Sequence, residues 1–138
     1  ETSPTAYDAY LKLGEIYMRS GQNEKASESF AQATLIEPRT AEAYYLTALS
    51  LAQDSRFSEA RYMSRQAIDM EPNWTEAVGL AAELALARPT FSEAAKTDIL
   101  TLALKAAELS KQQDPKILAT RTRAYLLNGQ IAEAQASA

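Results

Sequence analysis

A set of eight residues recurs in this chain at a constant distance of 34 positions. The first copy is Tyr10, Leu13, Gly14, Tyr17, Ala26, Phe30, Ala33 and Pro38, and the second is Tyr44, Thr47, Ala48, Leu51, Ala60, Ser64, Ala67 and Pro72. A period of this length is typical of stacked repeats of two helices, each of which buries its apolar face only against its neighbours. The period therefore predicts an all-α chain built from helix pairs.

Local signals place the helices. Gly21 tolerates positive φ and ends the first helix, Asn23 is expected to cap the second, and Pro38 marks its end. Asp114-Pro115 opens a later helix with a cap and a favourable first-turn residue. The predicted helices are 5–20, 23–36, 40–53, 57–70, 73–87, 98–112, 115–127 and 131–138.

The third repeat departs from the period because the Arg-Pro-Thr sequence at 88–90 must break its helix. Ala103 occupies the small-residue position of the next helix nine residues later than strict spacing would place it. The segment between the two helices is thus predicted to expand to 88–98. A longer helix that starts at Ser92 is the alternative, and the sequence leaves both open.

Composition supports helices and excludes several functions. Valine, which strands favour, occurs once, at Val78. The net charge of −4 disfavours nucleic acid and anionic membrane surfaces, both of which need basic residues. No apolar run is long enough to span a bilayer. With no His and no Cys, a Ser-His-Asp triad and thiolate chemistry are impossible.

The spacing of Tyr10, Gly14, Ala26, Phe30 and Pro38 closely resembles that of the tetratricopeptide repeat family. The resemblance implies a single domain over 1–138, a right-handed superhelix with repeats at about 7–40, 41–74, 75–114 and 115–138, the last one partial. It also implies a concave groove that binds peptides or helices of partner proteins. The C-terminal half is similar to the last two repeats of many bacterial members, which suggests a bacterial origin.

In this family the groove is lined by the face of each first helix that turns away from its partner helix. The resemblance assigns to it Asp8, Leu11, Lys12, Glu15, Met18, Arg19, Glu42, Tyr45, Leu46, Leu49, Gln53, Glu76, Gly79, Leu80, Glu83 and Leu86, followed by Lys116, Thr120 and Arg123. An apolar strip flanked by acids favours a partner with apolar anchors and some basic character. The alternative is that several of these leucines are core residues and that the acids form a solvated face.

One family function is excluded at these positions. Members that bind chaperones grip a carboxylate at the partner's C-terminus with Lys, Asn and Arg. The matching positions here are Leu11, Glu15, Leu46, Glu76 and Leu80, and none of them is basic. Two related repeats fit less well, because RNA-reading pentatricopeptide repeats need a basic inner face and ankyrin repeats carry a Thr-Pro-Leu-His sequence that is absent.

The sequence thus predicts a non-catalytic scaffold for protein–protein interaction, with no cofactor, no metal site, no nucleic acid and no membrane insertion. The alternatives are a homo-oligomerisation module and a regulatory segment of a larger enzyme or of a secretion or envelope assembly. Since the chain starts at Glu1 and stops within a repeat, we expect a fragment of a longer protein. The compartment stays open between cytoplasm and periplasm.

Overall fold

The computed structural model describes residues 5–137, which form eight α-helices and contain no strand. The predicted all-α fold is therefore confirmed for this part of the chain. The helices are α1 (Ala6–Arg19), α2 (Asn23–Ile36), α3 (Ala41–Gln53), α4 (Phe57–Met70), α5 (Thr75–Leu86), α6 (Glu93–Leu109), α7 (Pro115–Leu127) and α8 (Ile131–Ser137). None of these helices is both long and apolar enough to cross a membrane.

The chain divides into two compact units, an N-terminal unit over Glu1–Pro72 and a C-terminal unit over Asn73–Ala138. In the N-terminal unit each helix packs against the next, so that α2 lies against both α1 and α3. A buried cluster joins these three helices, and half-buried residues pack around it. The cluster contains Leu11, Ala26, Phe30, Ala33 and Ala43, and the surrounding residues are Tyr7, Tyr10, Tyr17, Met18 and Leu46.

The small residue at Gly14 is required by the approach of α1 to α2. A Cβ atom at this position would lie 2.5 Å from Cε1 of the Phe30 ring, which is fully buried. A contact that short would force the ring to move. Gly14 therefore allows α1 to approach α2 closely, with the Phe30 ring as its neighbour.

Two ends of helices in the N-terminal unit show which local signals were decisive. The Thr5 hydroxyl accepts a hydrogen bond from the Asp8 amide at 3.2 Å, and the Asp8 carboxylate accepts one from the Thr5 amide at 3.3 Å. This reciprocal cap begins α1. The prediction that Asn23 caps α2 is wrong, because Gln22 is the N-cap and Asn23 is already the first helical residue. The chain leaves Gly21 at φ 78°, and the cap falls one residue before the predicted one, whereas the helix spans the predicted residues 23–36.

In the C-terminal unit, successive helices again pack together, and α5 also contacts α7. The helix after the Arg-Pro-Thr break begins at Glu93, with Ser92 as its N-cap and the Ser92 hydroxyl 3.1 Å from the Ala95 amide. Of the two alternatives, the helix that starts at Ser92 is the one observed. Residues 93–98 are therefore helical and do not belong to an expanded loop.

The predictions for α7 are confirmed. The Asp114 carboxylate accepts a hydrogen bond from the Lys116 amide at 2.9 Å, and Pro115 is the first helical residue. The helix ends before Asn128, whose side-chain amide donates to the carbonyl of Lys96 on α6 at 3.0 Å. This bond ties the end of α7 to the first turn of α6. The predicted last helix is observed as far as Ser137, and Ala138 lies outside the described residues.

Candidate partner-binding surfaces

The predicted groove residues of the N-terminal unit form two strips, one on α1 and one on α3. Helical geometry places residues three and four positions apart on one face. The first strip contains Asp8, Leu11, Glu15 and Met18, with Lys12 and Arg19 at its edge, and the second contains Glu42, Leu46, Leu49 and Gln53, with Tyr45 at its edge. Leu46 packs against the cluster that contains Leu11, so the structure brings the two strips together. We call them the inner surface of the N-terminal unit.

The apolar residues of this inner surface differ in exposure. Leu11 is only 8% exposed and belongs to the core, so the alternative of a core role holds for this residue. The other apolar members keep part of their side chain in contact with solvent. These half-buried residues are Met18, Tyr45, Leu46 and Leu49. A partner can bury them further at little cost to the fold, because the structure already fixes their positions.

Charged residues flank this apolar strip, and three of them already have partners. Asp8 caps α1 through Thr5, and the Lys12 ammonium lies 3.6 Å from the Glu15 carboxylate. The Lys12 side chain is 79% exposed, so solvent screens this ion pair strongly. Glu42, Arg19 and Gln53 are exposed. Asp8, Glu15 and Glu42 therefore give the strip an acidic rim that a basic partner can approach.

The C-terminal unit also brings predicted groove residues together. The Lys116 ammonium of α7 lies 3.5 Å from the Glu83 carboxylate of α5. Glu76 and Arg123 are exposed and Gly79 is half-buried. The remaining predicted members are buried, namely Leu80 at 9%, Leu86 at 7% and Thr120 at 5% exposure. The predicted members therefore leave little apolar surface for a partner, and solvent screens the pair of Glu83 and Lys116, since the Lys116 side chain is 74% exposed.

The sequence analysis did not single out the exposed apolar residues on the other side of α1, although Leu13 stands in the repeating set. Leu13 is 38% exposed and Ile16 is 58% exposed. The comparison of repeats contained the signal, since the residues 34 positions later are the smaller and more polar Thr47 and Ser50. No group of three or more Asp or Glu side chains in the described part of the chain is arranged to hold a metal ion.

The sequence profile of the tetratricopeptide repeat family matches residues 1–49. A segment of 62 residues is 34% identical to the tetratricopeptide repeat and J domain-containing co-chaperone DNJ1 of Cryptococcus neoformans. That match covers 45% of this chain and 12% of the fungal protein, so the chain spans a small part of that relative. The predicted resemblance to the family is therefore confirmed in sequence over residues 1–49, whereas a bacterial origin stays a prediction.

Solved structures show the same fold over almost the whole chain. A crystal structure of MamA superposes with a TM-score of 0.82 at 20% identity and covers 98% of this chain and 75% of MamA. The first tetratricopeptide domain of Spaghetti (RPAP3), bound to the HSP90 peptide SRMEEVD, has a TM-score of 0.79 at 11% identity. It covers 93% of this chain and 97% of that domain. At these identities the likeness shows the fold alone.

Proposed function

We propose that this chain is a non-catalytic scaffold for protein–protein interaction. The proposal starts from its likeness to tetratricopeptide repeat domains, which covers the fold and, over residues 1–49, the sequence. Its partner segment binds on the inner surface of the N-terminal unit. The segment is a basic amphipathic helix or an extended peptide with apolar anchors. One observation carries the proposal: the half-buried Tyr45, Leu46 and Leu49 lie beside an acidic rim.

The apolar part of the site supports binding through anchors. Tyr45 lies at the edge of the α3 strip, next to Leu46 and one turn before Leu49. Aromatic residues are over-represented among the side chains that dominate interface energies. Because α3 packs between α2 and α4, these three side chains stand on a helix supported from both sides. A rigid support lowers the ordering cost when the partner binds.

The charge of the site supports a basic partner. The N-terminal unit contains seven Lys and Arg residues and eleven Asp and Glu residues, whereas the C-terminal unit contains seven of each. The whole net charge of the chain therefore belongs to the unit that carries the proposed site. Charge complementarity of this kind accelerates association and selects against acidic partners.

The same charges argue against the peptides that some proteins of this fold bind. The peptide SRMEEVD is acidic and ends in a carboxylate. In this chain, Leu11 is buried at the position where a basic residue would be needed, and Glu15 places a like charge beside it. Bringing like charges together without a compensating cation is unfavourable. We therefore expect no measurable affinity for SRMEEVD.

Binding of fluorescent peptides, measured by anisotropy, tests the proposal. The probes are SRMEEVD and a synthetic 18-residue amphipathic helix with a leucine face and lysine flanks. We expect binding of the basic helix alone, with a loss of about tenfold in affinity for Tyr45→Ala. The double charge reversal Glu15→Lys and Glu42→Lys should abolish the salt-dependent part of the affinity for the basic helix.

The control variant is Glu28→Lys, which reverses an exposed charge on α2 away from the inner surface. It should bind the basic helix with nearly unchanged affinity. Equal losses in Glu28→Lys and in the double charge reversal would mean that net charge alone attracts the probe. That result, or tight binding of SRMEEVD, would contradict the proposed site.

A further inference from the structure

Asn128 is the one asparagine of this chain that a glycine follows. The other two asparagines, Asn23 and Asn73, precede a glutamate and a tryptophan. The backbone nitrogen of the next residue can attack an asparagine side chain, and a glycine has no side chain that shields its nitrogen from this reaction. The pair Asn128–Gly129 is therefore the place where the covalent structure of the chain is most open to deamidation.

The reaction is a cyclisation that is followed by hydrolysis. The Gly129 nitrogen loses its proton to water and attacks Cγ of Asn128. A bond from this nitrogen to Cγ forms, the bond from Cγ to Nδ2 breaks, and Nδ2 takes up a proton and leaves as ammonia. Water then opens the five-membered imide at either carbonyl, so that position 128 becomes aspartate or isoaspartate. Water is the only co-reactant.

The folded turn after α7 holds the reacting atoms apart. Asn128 follows the helix with φ −90° and ψ 6°. At this ψ, seen along the Cα–C bond, the Gly129 nitrogen lies almost in line with the backbone nitrogen of Asn128 and away from its side chain. The Gly129 N–H also donates to the carbonyl of Leu126 at 3.0 Å, which holds the proton that the attack must remove. Ring closure therefore requires the turn to open.

The side-chain amide of Asn128 is held as well as the backbone. Its Nδ2 donates to the carbonyl of Lys96 on α6 at 3.0 Å and to the carbonyl of Ala124 on α7 at 2.9 Å. Asn128 is half-buried and Ala124 is 0% exposed. The group that leaves in deamidation is thus the same NH2 group that joins α7 to α6.

The turn between α1 and α2 shows what this amide adds. Ser20 has the same backbone angles as Asn128, −90° and 6°, and Gly21 has φ 78° where Gly129 has φ 74°. The Ser20 hydroxyl donates within its own helix, to the carbonyl of Tyr17. The conformation of the turn therefore does not need an asparagine, whereas the hydrogen bond between two helices does.

We propose that Asn128 is a latent deamidation site and that its deamidation is an irreversible switch in the C-terminal unit. While the turn is closed, the amide is protected and ties α7 to α6. When the turn opens, Asn128 reacts with the Gly129 nitrogen, and the product cannot form the same hydrogen bonds again. The site belongs to the C-terminal unit and does not depend on the inner surface of the N-terminal unit.

The product changes the contact from attractive to repulsive. A carboxylate has no hydrogen to donate, so it would face the carbonyl oxygens of Lys96 and Ala124 as a further negative group. It would also stand at the C-terminal end of α7, where a negative charge opposes the helix dipole. Isoaspartate in addition lengthens the backbone by one methylene group. Because position 128 is half-buried, water compensates these losses only in part.

Mass spectrometry of the incubated chain tests the protection. The native chain and the chain unfolded in guanidinium chloride are kept at mildly alkaline pH in water enriched in heavy oxygen, which labels the product as it forms. We expect deamidation of Asn128 to be at least about tenfold faster in the unfolded chain, because the closed turn then no longer protects it. Asn23 and Asn73 are internal controls and should react slowly in both samples.

A mild core variant tests the link between opening and reaction. Ile99 lies on α6 one turn after Lys96 and is 1% exposed. Ile99→Val removes one methyl group from this interior, so local opening should be more frequent and deamidation in the native chain several times faster. Leu104→Val is the matched control, because its side chain on the same helix is 37% exposed. It should leave the rate nearly unchanged.

Amide hydrogen exchange, followed by NMR, tests the consequence of the reaction. Asn128→Asp copies one product directly. The Gly129 and Gln130 amides donate to carbonyls of the last turn of α7, and we expect them to exchange at least about tenfold faster in this variant. Asn128→Ser copies the turn after α1 without adding a charge, so its effect should be smaller. The Gly21 and Gln22 amides of that turn should keep their exchange rates in both variants.

Three results would overturn the proposal. Equal rates in the native and the unfolded chain would mean that the folded turn does not protect Asn128. Absence of the reaction in the unfolded chain would mean that Asn128 is not a deamidation site. Unchanged exchange of the Gly129 and Gln130 amides in Asn128→Asp would mean that the turn stays closed after modification, and the switch would not exist.

Discussion

The α1–α2 pair and the α3–α4 pair have the same helix lengths to within one residue and the same 34-residue spacing, yet they fill their interiors differently. In the first pair Gly14 lies beneath the ring of the fully buried Phe30. In the second pair the equivalent residues are Ala48 and Ser64, which are 0% and 2% exposed. A smaller residue on the second helix accompanies a larger one on the first.

The difference shows that the repeat conserves complementarity more strongly than identity. A glycine allows a phenylalanine to approach the helix backbone, and an alanine is matched with a serine. Interiors are packed densely enough that one methyl group must be compensated by its neighbour. The two helix pairs can therefore be compared by substituting single residues of one pair with the equivalent residues of the other.

The largest effect is expected for Gly14→Ala, which gives the first pair the alanine of the second. The new methyl group would meet the Phe30 ring at 2.5 Å. We expect a loss of about 2 kcal/mol in the free energy of unfolding, because overpacking outweighs the roughly 1 kcal/mol gained in helix propensity. Urea denaturation measures it.

A double-mutant cycle gives the control. Phe30→Leu makes room beside position 14, so Gly14→Ala should be less harmful in that background, with a coupling of about 0.5 kcal/mol or more. Additive losses would mean that the two residues do not constrain each other. A neutral or stabilising Gly14→Ala would show that the two pairs do not differ in this contact.

A smaller effect is expected in the turns of the two pairs. Gly21 and Ser55 occupy equivalent positions and both have positive φ, 78° and 60° respectively. A residue with a side chain is strained there, so Ser55→Gly should stabilise the chain by about 1 kcal/mol. Thermal denaturation followed by circular dichroism measures the change.

Gly21→Ser is the matched exchange and should cost a similar amount. No atom lies within 4 Å of a Cβ placed at Gly21, so a loss reports the backbone conformation alone. If Ser55→Gly destabilised the chain, the Ser55 side chain would have to stabilise the fold by more than the backbone strain costs. The two turns would then not be equivalent.

The smallest effect concerns the first turn of the second helix in each pair. In the second pair, the Arg56 guanidinium donates two hydrogen bonds of 2.8 Å to the Glu59 carboxylate, which lowers the pKa of Glu59 and raises that of Arg56. The first pair has Gln22 and Lys25 there. The ion pair stabilises the folded chain above the unfolded pKa of Glu59, about 4.3, and this contribution is lost as the pH falls through the lower folded pKa.

Carboxyl NMR titration of Glu59 checks this prediction. In Arg56→Gln, which copies the first pair, the pKa of Glu59 should rise toward its ordinary value. The Arg56 and Glu59 side chains are 38% and 57% exposed, so solvent screens the pair, the change in stability should be small and it should vanish at high salt. An unchanged midpoint in Arg56→Gln would show that the hydrogen bonds do not form in solution.

The elements that could be predicted are those with local causes. Asp114 and Pro115 begin α7, and Asn128 follows its end, because capping and proline geometry act within a few residues. Asn23 shows the limit of such signals. It is a good capping residue, but the turn at Gly21 brings the chain into α2 one position earlier, and the cap falls on Gln22.

The candidate site was predictable in outline but not residue by residue. The predicted groove contained both Leu11 and Leu46, and Leu46 packs against the cluster that contains Leu11. The ion pair between Glu83 and Lys116 was not predicted. Helical spacing could not say which leucines keep exposed surface. The exposure of a leucine depends on how closely the neighbouring helix approaches it, and the spacing of residues within one helix does not determine that distance.

The sequence by itself determined the order of the helices and the repeat that relates them, since period, caps and breakers act through the backbone within one or two turns. Only the tertiary structure decided which of two leucines on α1 is buried: Leu11 is 8% exposed and Leu13 is 38% exposed. The reason is that periodicity is a property of the sequence of one helix, whereas the burial of a residue depends on which other helix packs against its side. Leu11 packs in the cluster shared with α2 and α3, and Leu13 points to the face of α1 that no described helix covers.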